Sequence, residues 1–351
     1  MPELTGTYAV LLNWNGWRDS IACLESLLPD MRRGLRVVLC DNASGDGSLT
    51  QVACWAAGHI SAPRTGNPRL DRLLQCSGWR PETKSLTRRE AEQGEIDRDA
   101  ALLLVDNGAN LGFAAGNNVG MRAALRDPDM RQLWLLNNDT LVEADCLAAM
   151  HRRLAKHPGP AVCGAMVHFF DRPEILQCIG GNRFDYRRGR ALESEGRYLP
   201  EHSAGPVAAV EARLDYLSGC CMLLPRAFLE TVGLMCEDYF LYYEEIDWFT
   251  RAAGRFDLLV AADARLYHRE GSAIGSRSWR RGPSLLADRH MIRSRRLYVD
   301  RHTPQARRHC ALANWGDVGK RLLRGQWRNA LLISRLLLGG APGGATGRAR
   351  A

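Results

Sequence analysis

Through its first 140 or so positions the chain repeats one pattern, a short apolar run, a cluster of Asn, Asp or Ser, and then apolar residues at helical spacing. Residues 8–13 form the first run, and Ile21, Leu24 and Leu27 follow at helical spacing until Pro29, which is expected to stop that helix. Residues 36–40 form the second run, closed by the turn formers Asp41-Asn42-Ala43-Ser44-Gly45-Asp46-Gly47. Further strands are expected at 102–105 and 133–136, with a helix over 114–126 between them. Thr140 and Glu143 read as a capping box opening a helix over 141–156. The alternation predicts an α/β fold, a doubly wound, mostly parallel sheet with flanking helices. Ligands of such sheets bind beyond the carboxyl ends of the strands, where Asn13, Asp41 and Asn137 to Asp139 fall.

At 351 residues the chain can bury a full core. Residues 54–98 fit the rhythm poorly, being polar and broken by Pro63, Pro68, Gly78 and Pro81, and read as a surface insertion. The expected organisation is one domain over 1–275, interrupted near 54–100, then a basic helical C-terminal extension over 276–340 and a disordered tail over 341–351. The net charge of +8 is uneven, because arginines crowd residues 277–328. From about residue 311, Leu322, Leu323, Trp327, Leu331 and Leu332 alternate with Lys320, Arg321, Arg324 and Arg328. This reads as one basic amphipathic helix that either lies on an anionic membrane or packs on the domain. The arginines over 277–296 either grip phosphates or form a solvated face. No recognition motif or aromatic ladder accompanies them, so nucleic acid is not an expected partner.

Eleven cysteines, without a Cys-x-x-Cys, suggest free thiols in a reducing compartment. No signal-peptide pattern and no run of about 18 apolar residues is present, so the expected location is cytoplasmic, at most peripheral on the inner face of the membrane.

Asp139, directly after an apolar run, is placed to hold a hard divalent cation such as Mn²⁺ or Mg²⁺ against a diphosphate, although an Asn/Asp turn would look the same. In Tyr239-Phe240-Leu241-Tyr242-Tyr243-Glu244-Glu245-Ile246-Asp247-Trp248, three carboxylates sit among aromatics, a setting that raises carboxyl pKa values and suits a general base. His268 ends a strand-like run.

Taken together, six motifs resemble the family 2 glycosyltransferases of GT-A fold, and within them the bacterial rhamnosyltransferase-like group. They are Leu12-Asn13-Trp14-Asn15-Gly16, Asp41-Asn42-Ala43-Ser44, Asn110-Leu111-Gly112-Phe113-Ala114-Ala115-Gly116-Asn117-Asn118, Asn137-Asn138-Asp139-Thr140, Ser218-Gly219-Cys220 and Tyr242-Tyr243-Glu244-Glu245-Ile246-Asp247. The resemblance implies a metal-dependent, inverting hexosyltransferase that moves a sugar, rhamnose by subgroup similarity, from a dTDP- or UDP-linked donor. The acceptor is a hydroxyl of a saccharide or lipid-linked saccharide. It further implies that Asp41 hydrogen-bonds the base, and as a loop carboxylate at a strand end Asp41 is not expected to belong to the core. Asn13, Trp14, Asn15, Asn42, Ser44, Asn110, Gly112, Phe113, Asn117, Asn137 and Asn138 line the nucleotide and donor sugar. Asp139 and His268 bind the metal, although Asn137 stands where the family's first metal carboxylate usually lies. Glu245 is the implied base, with Glu244 and Asp247 beside it, and Ser218, Gly219 and Trp248 face the acceptor. A sugar-phosphate nucleotidyltransferase would need an early Gly- and Arg-containing phosphate loop, which residues 13–17 lack. A catalytically inactive nucleotide-sugar binder would have no need to retain Asp139, Glu244, Glu245, Asp247 and His268 together.

Overall fold

The apolar runs near the start of the chain become strands buried on both faces, which is why they read as nearly continuous apolar sequence. They are β1 (Thr7–Asn13), β2 (Arg36–Asp41), β4 (Leu102–Asp106) and β5 (Gln132–Leu136), joined at one edge by β3 (Thr83–Thr87) in the parallel order β3-β4-β2-β1-β5. The computed structural model describes residues 4–74, 78–94, 96–269 and 283–339. Two compact units divide the chain, Met1–Phe184 with Ala191–Ala273, and Asp185–Arg190 with Ile274–Ala351.

In the first unit, α1 (Trp17–Met31), α2 (Ser48–Ala56), α3 (Pro68–Asp71), α4 (Arg88–Gln93) and α5 (Gly112–Leu125) connect the parallel strands. Helix α5 packs closely on the sheet because it carries glycine at its contact points. A Cβ on Gly116 would come within 2.7 Å of Leu12 Cδ1, and one on Gly120 within 2.7 Å of Val10 Cγ1. The sheet then continues through strands of the second half: β6 (Thr140–Val142), β7 (Ala161–Phe169), β8 (Arg172–Ile179), β9 (Gly181–Asn182), β10 (Tyr216–Leu217), β11 (Cys221–Pro225) and β12 (Asp257–His268). From β5 the order runs β11, β7, β8, β9, β10, all antiparallel to their neighbours, while β12 lies parallel to β7 and antiparallel to β6. The twelve strands thus form one mixed sheet whose first half is the expected parallel arrangement. Helices α6 (Cys146–Ala155), α7 (Val207–Glu211), α8 (Arg226–Val232) and α9 (Glu244–Ala252) complete this unit.

Four sequence expectations change. Pro29 lies inside α1, which ends two residues later at Met31 rather than before the proline. The 54–98 segment supplies edge strand β3 and helix α4, and the capping box is found there, with Thr87 Oγ1 and the Glu90 carboxylate each bonding the other's backbone N–H. The proposed Thr140/Glu143 box does not form, since Thr140 donates to the Asn137 carbonyl at 2.7 Å and Leu141 and Val142 pair with β12; the helix starts only at Cys146. The C-terminal amphipathic helix is two helices, broken at Gly325, where φ is +69°.

The second unit holds α10 (Leu285–His302), α11 (Arg307–Leu323) and α12 (Trp327–Leu338), packed around Ile292, Val318, Ala330 and Ile333. Buried Arg295 pairs with Asp317 at 2.9 Å, and Arg321 grips Asp288 with two nitrogens at 2.8 and 2.9 Å. Arg277 and the 341–351 tail lie outside the described residues. The ten described cysteines are all free, and no described helix is long and apolar enough to cross a membrane.

Candidate active site

Strand direction brings the polar clusters to one edge. Strands β1, β2, β4 and β5 end there together, and β11, running antiparallel with Cys221 opposite Leu136, begins there. The Asn137 N–H donates to the Cys220 carbonyl at 3.0 Å, which ties the Asn137–Asp139 segment to Ser218-Gly219-Cys220.

Many of the polar residues at this edge bond to one another. Asn13 Nδ2 donates to Asp41 Oδ1 at 2.6 Å and to Ser44 Oγ at 3.1 Å, while its Oδ1 accepts from Ser20 Oγ and Asn138 Nδ2. Asp41 also accepts from Ser44 N and Ser44 Oγ and is 3% exposed. The loop carboxylate expected outside the core is therefore a buried brace between the loops after β1 and β2. Asp41→Ala should cost about 1–3 kcal/mol of stability by stranding Asn13 Nδ2 and Ser44 N. Urea unfolding checks this, and an unchanged midpoint would show that the loops hold without the carboxylate. Asn42 Nδ2 likewise donates to the Gly112 carbonyl at 3.0 Å, and buried Asn117 donates to the Phe113 carbonyl of its own helix. Asn15 Oδ1 accepts from Gly45 N, while Asn110 is exposed and Trp14 half-buried.

The β6–β12 register, with His268 opposite Thr140, carries the histidine to the end of β5. His268 Nε2 lies 3.1 Å from Asp139 Oδ1 and 3.3 Å from Asn137 Nδ2, and its Nδ1 meets Gln177 Oε1 at 3.0 Å. With Nδ1–H donating to Gln177, the Nε2 lone pair faces the Asp139 carboxylate, an arrangement that needs a proton or a cation between them. A carboxylate and an imidazole suit Mn²⁺ or Mg²⁺ when further oxygens come from solvent or a ligand. Among the described residues no cluster of three or more His, Cys, Asp or Glu could hold a metal by itself. Gln177 was not anticipated, although a Gln within the run Ile175-Leu176-Gln177-Cys178-Ile179 is a signal of a buried polar partner. Beside Asp139 lies a pocket also lined by Arg18, Arg64 and Arg269, with Asp19 3.6 Å from Arg269 Nε, so three guanidinium groups face two carboxylates there.

The acidic motif after Tyr243 forms the start of α9. Tyr242 and Tyr243 both adopt positive φ, 67° and 73°, a strained turn that starts the helix at Glu244. A Cβ on Gly219 would lie 3.6 Å from Glu245 Oε1 and 3.8 Å from Phe113 Cζ, in ordinary van der Waals contact with both, so three separate motifs converge here. Glu245 Oε2 is shielded from water and has no hydrogen-bond partner. Burial pushes the Glu245 carboxyl up to about 7, and burial, then the Glu245 charge, pushes Glu244 well above the usual range. Two further motif residues make contacts within the fold. Asp247 pairs with Arg251 at 2.8 Å, and Arg251 also holds the Val232 and Leu234 carbonyls. Trp248, expected at the acceptor, is fully buried, donates to the Gly233 carbonyl at 2.7 Å and packs edge-on against Phe228, because its motif position faces the core. Ser218 and Gly219 remain half-buried at the site's rim.

No protein-family model matches the chain. Over 154 residues it is 27% identical to the Low-salt glycan biosynthesis hexosyltransferase Agl10 of Haloferax volcanii, covering 42% of this chain and 45% of that protein. The match therefore spans less than half the length of this curated relative. Among solved structures, the mannosyltransferase PcManGT from Pyrobaculum calidifontis, in complex with GDP-Man and Mn²⁺, aligns over 93% of this chain and 78% of its own, with 16% identity and a TM-score of 0.47. Residues 1–349 of S. aureus TarS align over 95% and 81%, with 14% identity and a TM-score of 0.46.

Proposed function

We propose that the chain is a metal-dependent, inverting hexosyltransferase of the family 2, GT-A type, moving a sugar from a nucleoside-diphosphate donor to a hydroxyl of a saccharide or lipid-linked saccharide. The observation that carries this reading is the approach of Asp139 Oδ1 and His268 Nε2 to 3.1 Å at the end of β5. The partial likeness to a hexosyltransferase supports it. The subgroup resemblance favours rhamnose as the sugar, on a dTDP- or UDP-linked donor.

Asp139 and His268 would hold Mn²⁺ or Mg²⁺, which would supply positive charge to offset the negative charge growing on the departing diphosphate. Arg18, Arg64 and Arg269 add positive charge around those oxygens. Phe113 walls the donor sugar on one side, and Gly219 leaves room for the acceptor beside Glu245. Glu245 accepts the acceptor's hydroxyl proton as the acceptor oxygen bonds to the anomeric carbon. The bond from that carbon to the diphosphate breaks, its electron pair leaving with the nucleotide. Attack opposite the leaving group inverts the anomeric centre. A carboxyl with a pKa near 7 is partly ionised at neutral pH, so it can take the proton and later release it.

A thermal-shift screen of dTDP-, UDP- and GDP-sugars with and without Mn²⁺ tests the reading. One donor should raise the Tm, and more so with the metal; binding at 100 times Kd contributes about 2.7 kcal/mol. If no nucleotide sugar shifts the Tm under either condition, the assignment fails.

A further inference from the structure

The charge and apolar surface of residues 283–339 are unlike those of the rest of the chain. This stretch carries twelve Arg and Lys against three Asp, an excess of nine that exceeds the net +8 of the whole protein. It also holds nine of the fourteen large apolar side chains that stand exposed among the described residues.

The apolar residues are ordered. On α11, Leu312 and Trp315 stand 70% and 43% exposed, and Leu322 follows at the spacing of the same helix face. On α12, Trp327, Leu331 and Leu338 fall at i, i+4 and i+11, again on one face, at 67%, 53% and 76%. Leu323, the last residue of α11, is 90% exposed. The core of the unit is filled by other side chains of the same helices, Val318, Ala330 and Ile333, so the exposed stripes are not needed to hold it together.

The charges identify the occupant. All three acids of the stretch are engaged, Asp288 with Arg321, Asp317 with Arg295 and Asp300 with Arg307. No carboxylate within 283–339 is left to offset Arg324, Arg328 and Arg335, which lie exposed among the apolar residues. A second copy meeting this face about a two-fold axis would set these arginines against themselves. An anionic bilayer accepts both components, taking tryptophan and leucine into the acyl boundary and pairing arginine with lipid phosphates.

We propose that α11 and α12 form a docking surface for an anionic membrane, with Trp327, Leu323 and Leu331 as apolar anchors and Arg324, Arg328 and Arg335 as headgroup contacts. The surface is independent of the reaction proposed above. It is a peripheral attachment, weakened by salt because part of its strength is charge attraction.

The test is co-sedimentation of the full chain with vesicles of phosphatidylglycerol and phosphatidylcholine, and with phosphatidylcholine alone. Two variants, Leu323→Glu/Trp327→Glu and Arg324→Glu/Arg328→Glu, change only exposed side chains, and circular dichroism confirms that they fold. The parent should partition onto the anionic vesicles and far less onto neutral ones, and each variant should lose about tenfold or more of that partitioning. A parent that stays in the supernatant, or variants that sediment as it does, would overturn the proposal. So would a parent that binds no vesicle and is a dimer which the Leu323→Glu/Trp327→Glu change splits, because the face would then be a contact between copies.

Discussion

Glu245→Gln is expected to lower turnover by about 10²- to 10⁴-fold while donor affinity stays near that of the parent. The substitution keeps the shape of the side chain beside Gly219 and Phe113 and removes its capacity to take a proton. The same change should make the protein more stable in mild alkali. Burial raises the Glu245 carboxyl from 4.5 to about 7, so the folded state holds this proton more tightly than the unfolded chain does. The stability gained from that proton is fully present below the unfolded value and is lost as pH rises through about 7. A Gln at this position does not ionise, and above pH 7 the variant should exceed the parent by up to about 3 kcal/mol. In the parent, kcat/KM should rise with pH through about 7 as Glu245 ionises, and that limb should vanish in the variant. Glu244→Gln should share the alkaline stabilisation without the large loss of turnover, and Asp247→Asn should lose stability with its Arg251 pair. Chemical unfolding and steady-state transfer on all three variants measure these effects. A Glu245→Gln enzyme that turns over near the parent rate, beside an inactive Asp247→Asn enzyme with intact donor affinity, would move the base to Asp247.

The parallel half of the sheet was legible because β1, β2, β4 and β5 are buried on both faces and carry unbroken apolar sequence. Strand β3 was not. It is an edge strand whose residues, Thr83-Lys84-Ser85-Leu86-Thr87, are mostly exposed, so no apolar run marked it and its segment read as an insertion. Thr140 and Glu143 fit a helix start by local chemistry, and pairing with β12, more than a hundred residues downstream, overrode it. That same pairing sets His268 beside Asp139, so spacing alone gave no sign of the approach, whereas motif order did. The polar clusters after β1 and β2 marked the right edge of the sheet, yet their composition did not distinguish bracing from binding. Asp41 is buried beneath its loop because Asn13 and Ser44 consume its oxygens. Trp248 shows the reverse, a residue within a catalytic motif that belongs to the core.

Asp139→Ala is the second large effect. With the carboxylate gone, His268 is left as a lone imidazole donor, and a hard cation loses its oxygen anchor on the protein. In the presence of Mn²⁺ the affinity for nucleoside diphosphate should fall by about 100-fold or more, down to the level seen without metal. Without metal the variant should bind no worse than the parent, and somewhat better if the carboxylate repels the diphosphate. Gln177→Leu should leave the carboxylate in place but release the imidazole, costing about 10- to 100-fold in metal affinity.

The central claim, that this sheet edge holds a nucleoside diphosphate through a cation shared by Asp139 and His268, is tested most directly by calorimetric titration. The nucleoside diphosphate identified by the thermal-shift screen is titrated into parent and Asp139→Ala, each with and without Mn²⁺. The parent should bind tightly only with Mn²⁺, and the variant should show the same weak affinity in both conditions. Metal-dependent affinity that persists unchanged in Asp139→Ala would contradict the account.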